Sequence, residues 1–418
     1  MTDTVRFVHA ADLHLDAPFK GVDATDARVR DALVASTYEA LDAVVSLCVE
    51  ERVDFLVLAG DIYNSASKSL QAEFAFRDAC VRLAGAGIRV FLAHGNHDPA
   101  SSRSFDLELP PEVHVFSSAE VERVVFERDG APVCALYGQS FRTAAETGNL
   151  ALGFSRAPDD AIAIGVLHAN VGGRPGHEPY APCSLDDLRA ARMDYWALGH
   201  IHKPEVLSED PAIVYAGCTQ GLQPNESGIR GCRLVTASPA GISSEFVPTA
   251  RVVWDALSLD VSALGTVDEL RAAIVAAIAG AERDAGELPL VVRLELAGRS
   301  EAHAALARPG ALRDLLADVR ADALDREPWV WVDRIADRTR PAIDLDALRD
   351  AEDLAGDLMR LSDALAADEA ALAGLLDEVT APVAATLDRR EAPQTDAVSL
   401  LERARDRALD RLLAGEES

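Results

Sequence analysis

Short apolar runs alternate with longer amphipathic segments over roughly the first 250 residues of the chain. The runs have the length and apolar character of buried strands, and the segments between them carry apolar residues every three or four positions, as one face of a helix does. Val34, Tyr38, Leu41, Val45 and Cys48 follow this helical spacing. The alternation favours an α/β core with parallel strands. Strands are predicted at residues 5–10, 53–59, 88–93, 161–167 and 195–198.

Four further apolar segments come as two pairs, and no helical pattern separates the two members of a pair. They lie at residues 121–126, 132–138, 232–237 and 242–247. Neighbouring strands that are joined by short turns pair in antiparallel fashion, so the core is expected to contain mixed sheets.

The pattern changes after Trp254, where strands and helices at 267–283 and 311–319 predict a small α+β unit. Trp329 and Trp331 share one face of its last strand, because side chains alternate along a strand. We expect both to pack in the core of this small unit rather than to stack on nucleic-acid bases.

From residue 345 onward the pattern is wholly helical, with Leu354, Leu358, Leu361 and Leu365 on one face. These helices either pack only against their own domain or bind a partner. The three changes of pattern predict domains at residues 1–250, 251–342 and 343–418.

The composition of the chain limits the ligands it can bind and the compartments in which it can work. The 418 residues carry a net charge of −29, which argues against binding nucleic acid through bulk charge alone, although a metal site, local arginines or a basic partner could still hold it. The six cysteines show no paired-ligand spacing, which indicates a reducing compartment. The longest strongly apolar uncharged run, at 272–281, is about half a membrane span. We expect a cytoplasmic protein that does not enter a membrane.

Metal-binding side chains follow five of the predicted strands. Each fragment alone is more typical of a turn or of a structural histidine than of a ligand. Their convergence at one edge of an α/β sheet changes this interpretation, because the carboxyl ends of parallel strands meet there and form ligand sites. The candidate ligands are Asp12, His14, Asp61, Asn96, His97, His168, His200 and His202.

The residue types indicate the metal. Carboxylates, imidazoles and one amide oxygen, without thiolates, suit Mn²⁺, Fe²⁺ or Zn²⁺ in a reactive centre. So many ligands exceed the needs of one tetrahedral ion but fit two ions that share a bridging carboxylate. Two such ions can clamp an in-line displacement at phosphorus.

The motifs Asp12-x-His14, Gly60-Asp61, Gly95-Asn96-His97-Asp98, His168 and Gly199-His200-x-His202 resemble those of the calcineurin-like metallophosphoesterases. Within that superfamily, "FVHAADLHLDAPF", "LHANVGG" and "YAPCSLDDLRAARMDYWALGHIHKPEV" resemble the SbcD-type DNA repair exonucleases, especially their YhaO-like branch. The resemblance is specific over residues 5–250, looser to 345, and limited to helical character beyond. It implies a four-layer α/β/β/α sandwich with a small α+β cap and a helical C-terminal tail.

The resemblance also implies a role for each matching residue. His97 would be the catalytic histidine, with Asp98 orienting its ring. Asn64 stands where the family often has an acidic residue or a histidine. We therefore expect the properties of the site to be altered but the metals still to be bound. One metal would be held by Asp12, His14, Asp61 and His202, and the other by Asp61, Asn96, His168 and His200.

The implied function is a Mn²⁺-dependent phosphodiesterase that acts on DNA as an exonuclease, and in some members as an endonuclease. The implied partner is an SbcC-type, SMC-like ATPase bound by the C-terminal helices, and members of the family commonly form homodimers. Two alternatives stay open, because the same metal centre serves other substrates. One is a phosphodiesterase for a small nucleotide diester, and the other is a non-catalytic scaffold that retains the site.

Overall fold

Two six-stranded mixed sheets are formed by residues before position 250. The computed structural model describes residues 4–19, 26–64, 69–102, 107–174, 178–384 and 397–414. The strands of these sheets are β1 (Val5–Ala10), β2 (Phe55–Ala59), β3 (Arg89–Ala93), β4 (Val113–Val115), β5 (Glu122–Arg128), β6 (Ala131–Gly138), β7 (Ala163–His168), β8 (Tyr195–Gly199), β9 (Glu205–Glu209), β10 (Ala212–Tyr215), β11 (Gly231–Ser238) and β12 (Gly241–Pro248).

The strand orders confirm the mixed topology. The first sheet runs β12-β11-β1-β2-β3-β4, with β1 to β4 parallel and β11 antiparallel to β1. The second runs β5-β6-β7-β8-β10-β9, with parallel strands at its centre and antiparallel strands at its edges. The central parallel strands of both sheets are therefore the ones that end in the predicted ligands.

Helices cover the outer faces of both sheets. Helix α1 (Ala27–Glu50) begins after Asp26, whose carboxylate accepts hydrogen bonds from two backbone N–H groups of the first turn. Helix α2 (Leu70–Gly85) begins after Ser69, whose hydroxyl oxygen accepts from the backbone N–H of Ala72. Both helices pack on the first sheet. Helix α3 (Leu185–Ala190) and the 3₁₀ turn Leu150–Gly153 cover the second sheet.

The two sheets pack on each other through their inner faces. Phe7 of β1 stacks on Phe55 of β2 with 5.0 Å between ring centroids, and it meets the ring of Tyr195 from β8 edge-on at 5.4 Å. All three side chains are fully buried, and each contributes about 1.5–3 kcal/mol through the apolar area removed from water. The predicted four-layer α/β/β/α sandwich is confirmed.

By length and composition alone, α1 could cross a membrane, with a mean hydropathy of 1.5 over its apolar part. Its buried residues include Leu41, Val44, Val45 and Cys48, which pack against the first sheet. This packing accounts for the apolar face, since a core helix has the same composition.

The residues after Trp254 form a third, three-stranded sheet. It comprises β13 (Val253–Asp260), α4 (Val267–Ala285), β14 (Leu290–Ser300), α5 (His303–Leu306), α6 (Ala311–Leu324) and β15 (Val330–Pro341), with the strands in the order β13-β14-β15. The order of strands and helices agrees with the predicted small unit. Trp329 and Trp331 are buried as predicted, but their cluster includes the first turns of α1 as well as Trp254, so they do not pack only within the small unit.

The tail is helical, as predicted. It contains α7 (Leu345–Asp350), α8 (Leu354–Ala367), α9 (Glu369–Ala384) and α10 (Ala397–Ala414). Met359 of α8 and Leu409 of α10 are fully buried in one apolar cluster, and Arg299 pairs with Asp410 of α10 at 2.8 Å.

The chain divides into two compact units. One comprises residues 1–257, 275–294 and 316–335, and the other comprises residues 258–274, 295–315 and 336–418. Each strand of the third sheet contributes residues to both units. The domain boundaries at residues 250 and 342 stay a prediction.

Candidate metal centre

The candidate ligands lie beyond the carboxyl ends of β1, β2, β3 and β8, with His168 as the last residue of β7. Backbone hydrogen bonds fix the loops on which they stand. Asp12 N–H donates to the carbonyl of Gly60 at 3.0 Å, and His14 N–H donates to the carbonyl of Asp61 at 3.0 Å. The loops after β1 and β2 are thereby tied together at the sheet edge.

The backbone at several of these residues is strained. Asp12, His14, Asp61 and His200 have φ values of 51°, 44°, 53° and 97°, in the left-handed region that residues with a Cβ seldom adopt. Each such residue costs about 1–3 kcal/mol and persists only where the surroundings hold it. Such outliers cluster at functional sites, and here they coincide with the predicted ligands.

Two glycines let the ligands come close together. A Cβ on Gly60 would lie 2.3 Å from Nδ1 of His168, and a Cβ on Gly95 would lie 2.3 Å from Oδ1 of Asp61. Real Cβ atoms do not approach other atoms so closely. Both positions therefore require glycine for the site to keep its geometry.

One ligand group consists of Asp12, His14 and His202, whose ligand atoms lie within 4.8 Å of one another. The Nε2 atoms of His14 and His202 are 3.0 Å apart. Nδ1 of His202 donates to the carboxylate of Glu226 at 2.7 Å, which leaves its Nε2 with a lone pair that faces His14. A cation between the two nitrogen atoms would satisfy both.

A second group consists of Asp61, Asn96 and His168. Nδ1 of His168 donates to the backbone carbonyl of Ala59 at 2.9 Å, so Nε2 is the ring nitrogen that a metal would use once its proton is displaced. That Nε2 lies 2.9 Å from Oδ1 of Asn96 and 3.3 Å from Oδ2 of Asp61. The same Oδ2 lies 3.8 Å from Nε2 of His14, so Asp61 stands between the two groups.

His200 lies beside both groups. Its backbone N–H donates to Asp12 at 3.1 Å, and its ring contacts that of His168 with 5.2 Å between centroids. Nε2 of His200 donates to the backbone carbonyl of Glu178 at 2.9 Å. Ligation by His200 would therefore use Nδ1.

The charges of the buried groups are coupled. Burial raises the pKa of Asp12 to about 6, against the opposing effect of the imidazoles of His168 and His202. Burial also opposes ionisation of Asp61, yet the neighbouring imidazoles hold its pKa well below the usual range. Burial would lower the pKa of His168, but Asp61 and Asp12 raise it to about 9. In the metal-free protein, His168 thus keeps a proton at the position where a metal cation would bind.

The donor set fits two divalent ions. Buried carboxylates, imidazoles and one amide oxygen converge, and Nδ1 of His14 has no hydrogen-bond partner among the described residues. The thiol of Cys218 lies near His202 and Glu226, and burial raises its pKa well above its usual value. These buried clusters are consistent with a dinuclear metal site in which Asp61 would serve both ions.

His97 lies in the wall of a cleft of about 610 Å³ next to these groups. Its backbone N–H donates to Oδ1 of Asp61 at 2.8 Å, and its Nδ1 donates to the backbone carbonyl of Asn64. The ring of His97 meets that of His14 edge-on, with 4.8 Å between centroids. This arrangement leaves Nε2 of His97 for a substrate.

The predicted contact between Asp98 and the ring of His97 is not observed among the described residues. The carboxylate of Asp98 is fully buried and accepts hydrogen bonds from the backbone N–H groups of Ile62 at 2.9 Å and Gly95 at 3.0 Å. Asp98 therefore fixes the two loops that carry Asp61 and Asn96, and the carbonyl of Asn64 orients His97 in its place.

Glu226 was not anticipated from the sequence. Burial opposes its ionisation, but the hydrogen bond from His202 lowers the pKa of Glu226 to about 2. Its other oxygen accepts from the backbone N–H of Leu222 at 2.7 Å. Glu226 lies in a loop that follows no predicted ligand-bearing strand, so the pattern that revealed the ligands gave no signal for it.

Comparisons with known proteins agree with this geometry. A family profile described as "Calcineurin-like phosphoesterase" matches residues 5–204, and one described as "Metallophosphoesterase YhaO, middle domain" matches residues 254–340. A relative described as "Uncharacterized metallophosphoesterase YhaO", from Bacillus subtilis (strain 168), is 35% identical over 349 residues, which cover 83% of this chain and 85% of the relative.

Among solved structures, "GAP50 the anchor in the inner membrane complex of Plasmodium" matches 59% of this chain and 85% of its own chain, with 14% identity and a TM-score of 0.34. That similarity is too low to inform function. The curated relative and the two profiles carry the assignment. The chain belongs to the calcineurin-like metallophosphoesterases, a family of metal-dependent phosphoester hydrolases, among their YhaO-like members.

Proposed function

We propose that this protein is a two-metal-dependent phosphodiesterase that degrades DNA from an end and serves in DNA repair. The position of Asp61 carries the proposal. Its Oδ2 lies 3.3 Å from Nε2 of His168 and 3.8 Å from Nε2 of His14, at the edge of the cleft that His97 lines. A carboxylate shared in this way suits a pair of ions acting on one phosphorus centre.

Each side chain has a distinct part in the proposed reaction. One ion would be held by Asp12, His14 and His202. The other would be held by Asn96, His168 and His200, and Asp61 would bind both ions. When bound, the ions supply an acidified water and neutralise charge at phosphorus. The Asn64 carbonyl holds the His97 ring in place by accepting from Nδ1. When Nε2 also carries a proton, as in the imidazolium form, it donates to a phosphoryl oxygen or to the leaving oxygen.

Mn²⁺ is the proposed metal, ahead of Fe²⁺ and Zn²⁺. The donor set of carboxylates, imidazoles and one amide oxygen has the hard character that Mn²⁺ accepts. Among the described residues, the only candidate ligand group with a thiol is that of His202, Cys218 and Glu226, whereas structural zinc sites usually contain two to four thiolates.

The proposed partner is an SMC-like ATPase of the SbcC type that binds the tail. The net charge of −29 leaves little bulk attraction for DNA, so a partner that supplies phosphate contacts is useful to the reaction. Leu354 and Leu361 lie seven positions apart on one face of α8 and are 66% and 59% exposed. Cytoplasmic location and homodimer formation stay predictions.

The function is tested by Mn²⁺-dependent cleavage of end-labelled linear DNA, with bis-p-nitrophenyl phosphate as a parallel substrate. Wild-type protein is compared with His97→Ala at equal metal content. Cleavage by the wild type that His97→Ala abolishes supports the proposal. Turnover of the small diester without DNA cleavage, even with the ATPase present, would instead favour a small nucleotide diester as substrate. Metal binding without any turnover would favour a scaffold.

The partner is tested by co-purification with a co-expressed SMC-like ATPase. The double variant Leu354→Glu with Leu361→Glu is expected to lose the ATPase while keeping turnover of the small diester. Leu152→Glu is the matched control, because Leu152 is 72% exposed but belongs to the phosphoesterase part of the chain. Equal recovery of the ATPase with both variants would contradict the proposed docking surface.

A further inference from the structure

Arg230 is a buried cation in the wall of the metal cleft. The residue is only 6% exposed, and it lines the same cleft as Asp61, His97 and His202. Across the part of the chain that the structure describes, its guanidinium has no hydrogen bond or ion pair, and its Nε is buried without a partner. A buried charge without a partner is costly, so the fold retains Arg230 at a cost in stability.

Two other arginines with little exposure have carboxylate partners. Arg293 pairs with Asp333 at 2.7 Å, and Arg299 pairs with Asp410 at 2.8 Å. The carboxylate nearest to Arg230 along the chain within the cleft is that of Glu226, which is engaged by His202 at 2.7 Å and by the N–H of Leu222. Among the described residues, Arg230 therefore forms no ion pair of the kind that Arg293 and Arg299 form.

We propose that Arg230 binds the phosphodiester of the substrate through its non-bridging oxygen atoms, an inference that rests on the proposed phosphodiesterase function. A guanidinium presents two parallel N–H groups that match two oxygen atoms of a phosphate, and the contact gains strength where water is excluded. Arg230 thus selects anionic esters and positions them beside the metal ligands. Together with Lys203, which lines the same cleft, it adds local positive charge to a chain whose net charge is −29.

The test is calorimetric binding of inorganic phosphate to the Mn²⁺-loaded full-length protein. Arg230→Gln is expected to weaken phosphate binding at least about tenfold, the loss typical of a hydrogen-bonded charge pair, and Arg230→Lys to recover part of the affinity as a point charge. Arg233→Gln is the matched control. Arg233 also has a buried Nε without a partner, but its guanidinium lies over the ring of Phe246 and does not line the cleft.

Metal content and thermal unfolding are measured for every variant, so that loss of the ions or of the fold is recognised. With bis-p-nitrophenyl phosphate, Arg230→Gln is expected to raise KM by about the same factor as the phosphate dissociation constant, since both report one charge-assisted contact. Equal phosphate affinity in wild type and Arg230→Gln, or an equal loss in Arg233→Gln, would overturn the assignment. A wild type that binds phosphate through Arg230 but hydrolyses no phosphodiester would overturn the proposed function and leave the anion site standing.

Discussion

The imidazole of His97 is held by the main chain of Asn64, not by its side chain. Nδ1 of His97 donates to the backbone carbonyl oxygen of Asn64, while the backbone N–H of His97 donates to Asp61. The side chain at position 64 thus does not set the orientation of the His97 ring. A carbonyl group is present at this position whatever the side chain is.

Replacing Asn64 by alanine is therefore expected to leave kcat for bis-p-nitrophenyl phosphate within about twofold of wild type. His97→Ala, by contrast, should lower kcat by roughly 10²–10⁴, the usual contribution of a positioned proton donor. Steady-state kinetics at saturating Mn²⁺ measures both. A loss in Asn64→Ala as large as that in His97→Ala would show that the amide side chain itself takes part.

Glu226 is expected to set metal affinity, because it fixes the ring of His202 through a charged hydrogen bond of 2.7 Å. Glu226→Gln keeps the size of the side chain but removes the charge, so Mn²⁺ affinity or activity should fall by roughly 10–100-fold. Metal titration of the metal-free protein measures this directly.

Glu178→Gln is the control for Glu226→Gln. Glu178 also lines the cleft, but its contact with His200 is made by the backbone carbonyl and its side chain is exposed. Its loss of charge should leave Mn²⁺ affinity nearly unchanged. Comparable losses in both variants would mean that the charge of the cleft, and not the orientation of His202, governs metal binding.

The ligands could be predicted from the sequence because a simple rule places them. Asp12, Asp61 and Asn96 each follow an apolar run, and parallel strands bring their carboxyl ends to one edge. The same alternation predicts an α/β core, whereas the four-layer arrangement is implied by the family resemblance. The sheet order could not be read from the pattern, because the pairing of β1 with β11 joins segments more than 200 residues apart.

The parts of the site that the sequence did not predict depend on loop geometry. Asp98 follows His97 directly, yet its carboxylate turns back to the N–H of Gly95, since successive side chains in a tight turn point in different directions. Glu226 and Arg230 lie in a loop between β10 and β11. Only the folded chain brings that loop to the ligands.

Metal binding is expected to strengthen as the pH rises towards 9. In the metal-free protein burial opposes protonation of His168, but Asp61 and Asp12 raise its pKa to about 9. Below that pH an incoming metal must displace the proton, so the apparent association constant should increase by up to about tenfold per pH unit and level off above pH 9. Calorimetric titration with Mn²⁺ in buffers of different ionisation enthalpy measures both the affinity and the proton released. A pH-independent affinity with no proton release would contradict the coupling between His168 and the two carboxylates.

Gly95 is expected to be essential for the shared ligand. A Cβ at this position would lie 2.3 Å from Oδ1 and 2.9 Å from the backbone N of Asp61, so Gly95→Ala must displace the carboxylate that stands between the two groups. We expect loss of bound Mn²⁺ and a fall in kcat of at least about 100-fold, comparable to the loss of a group that positions the reactants. Elemental analysis and turnover of bis-p-nitrophenyl phosphate measure these effects.

Gly85→Ala is the control, because a Cβ there meets no atom within 4 Å and alanine favours the end of α2. Full metal content in Gly95→Ala would show that the loop after β3 can move without disturbing Asp61, and that the close packing at this glycine does not maintain the metal centre.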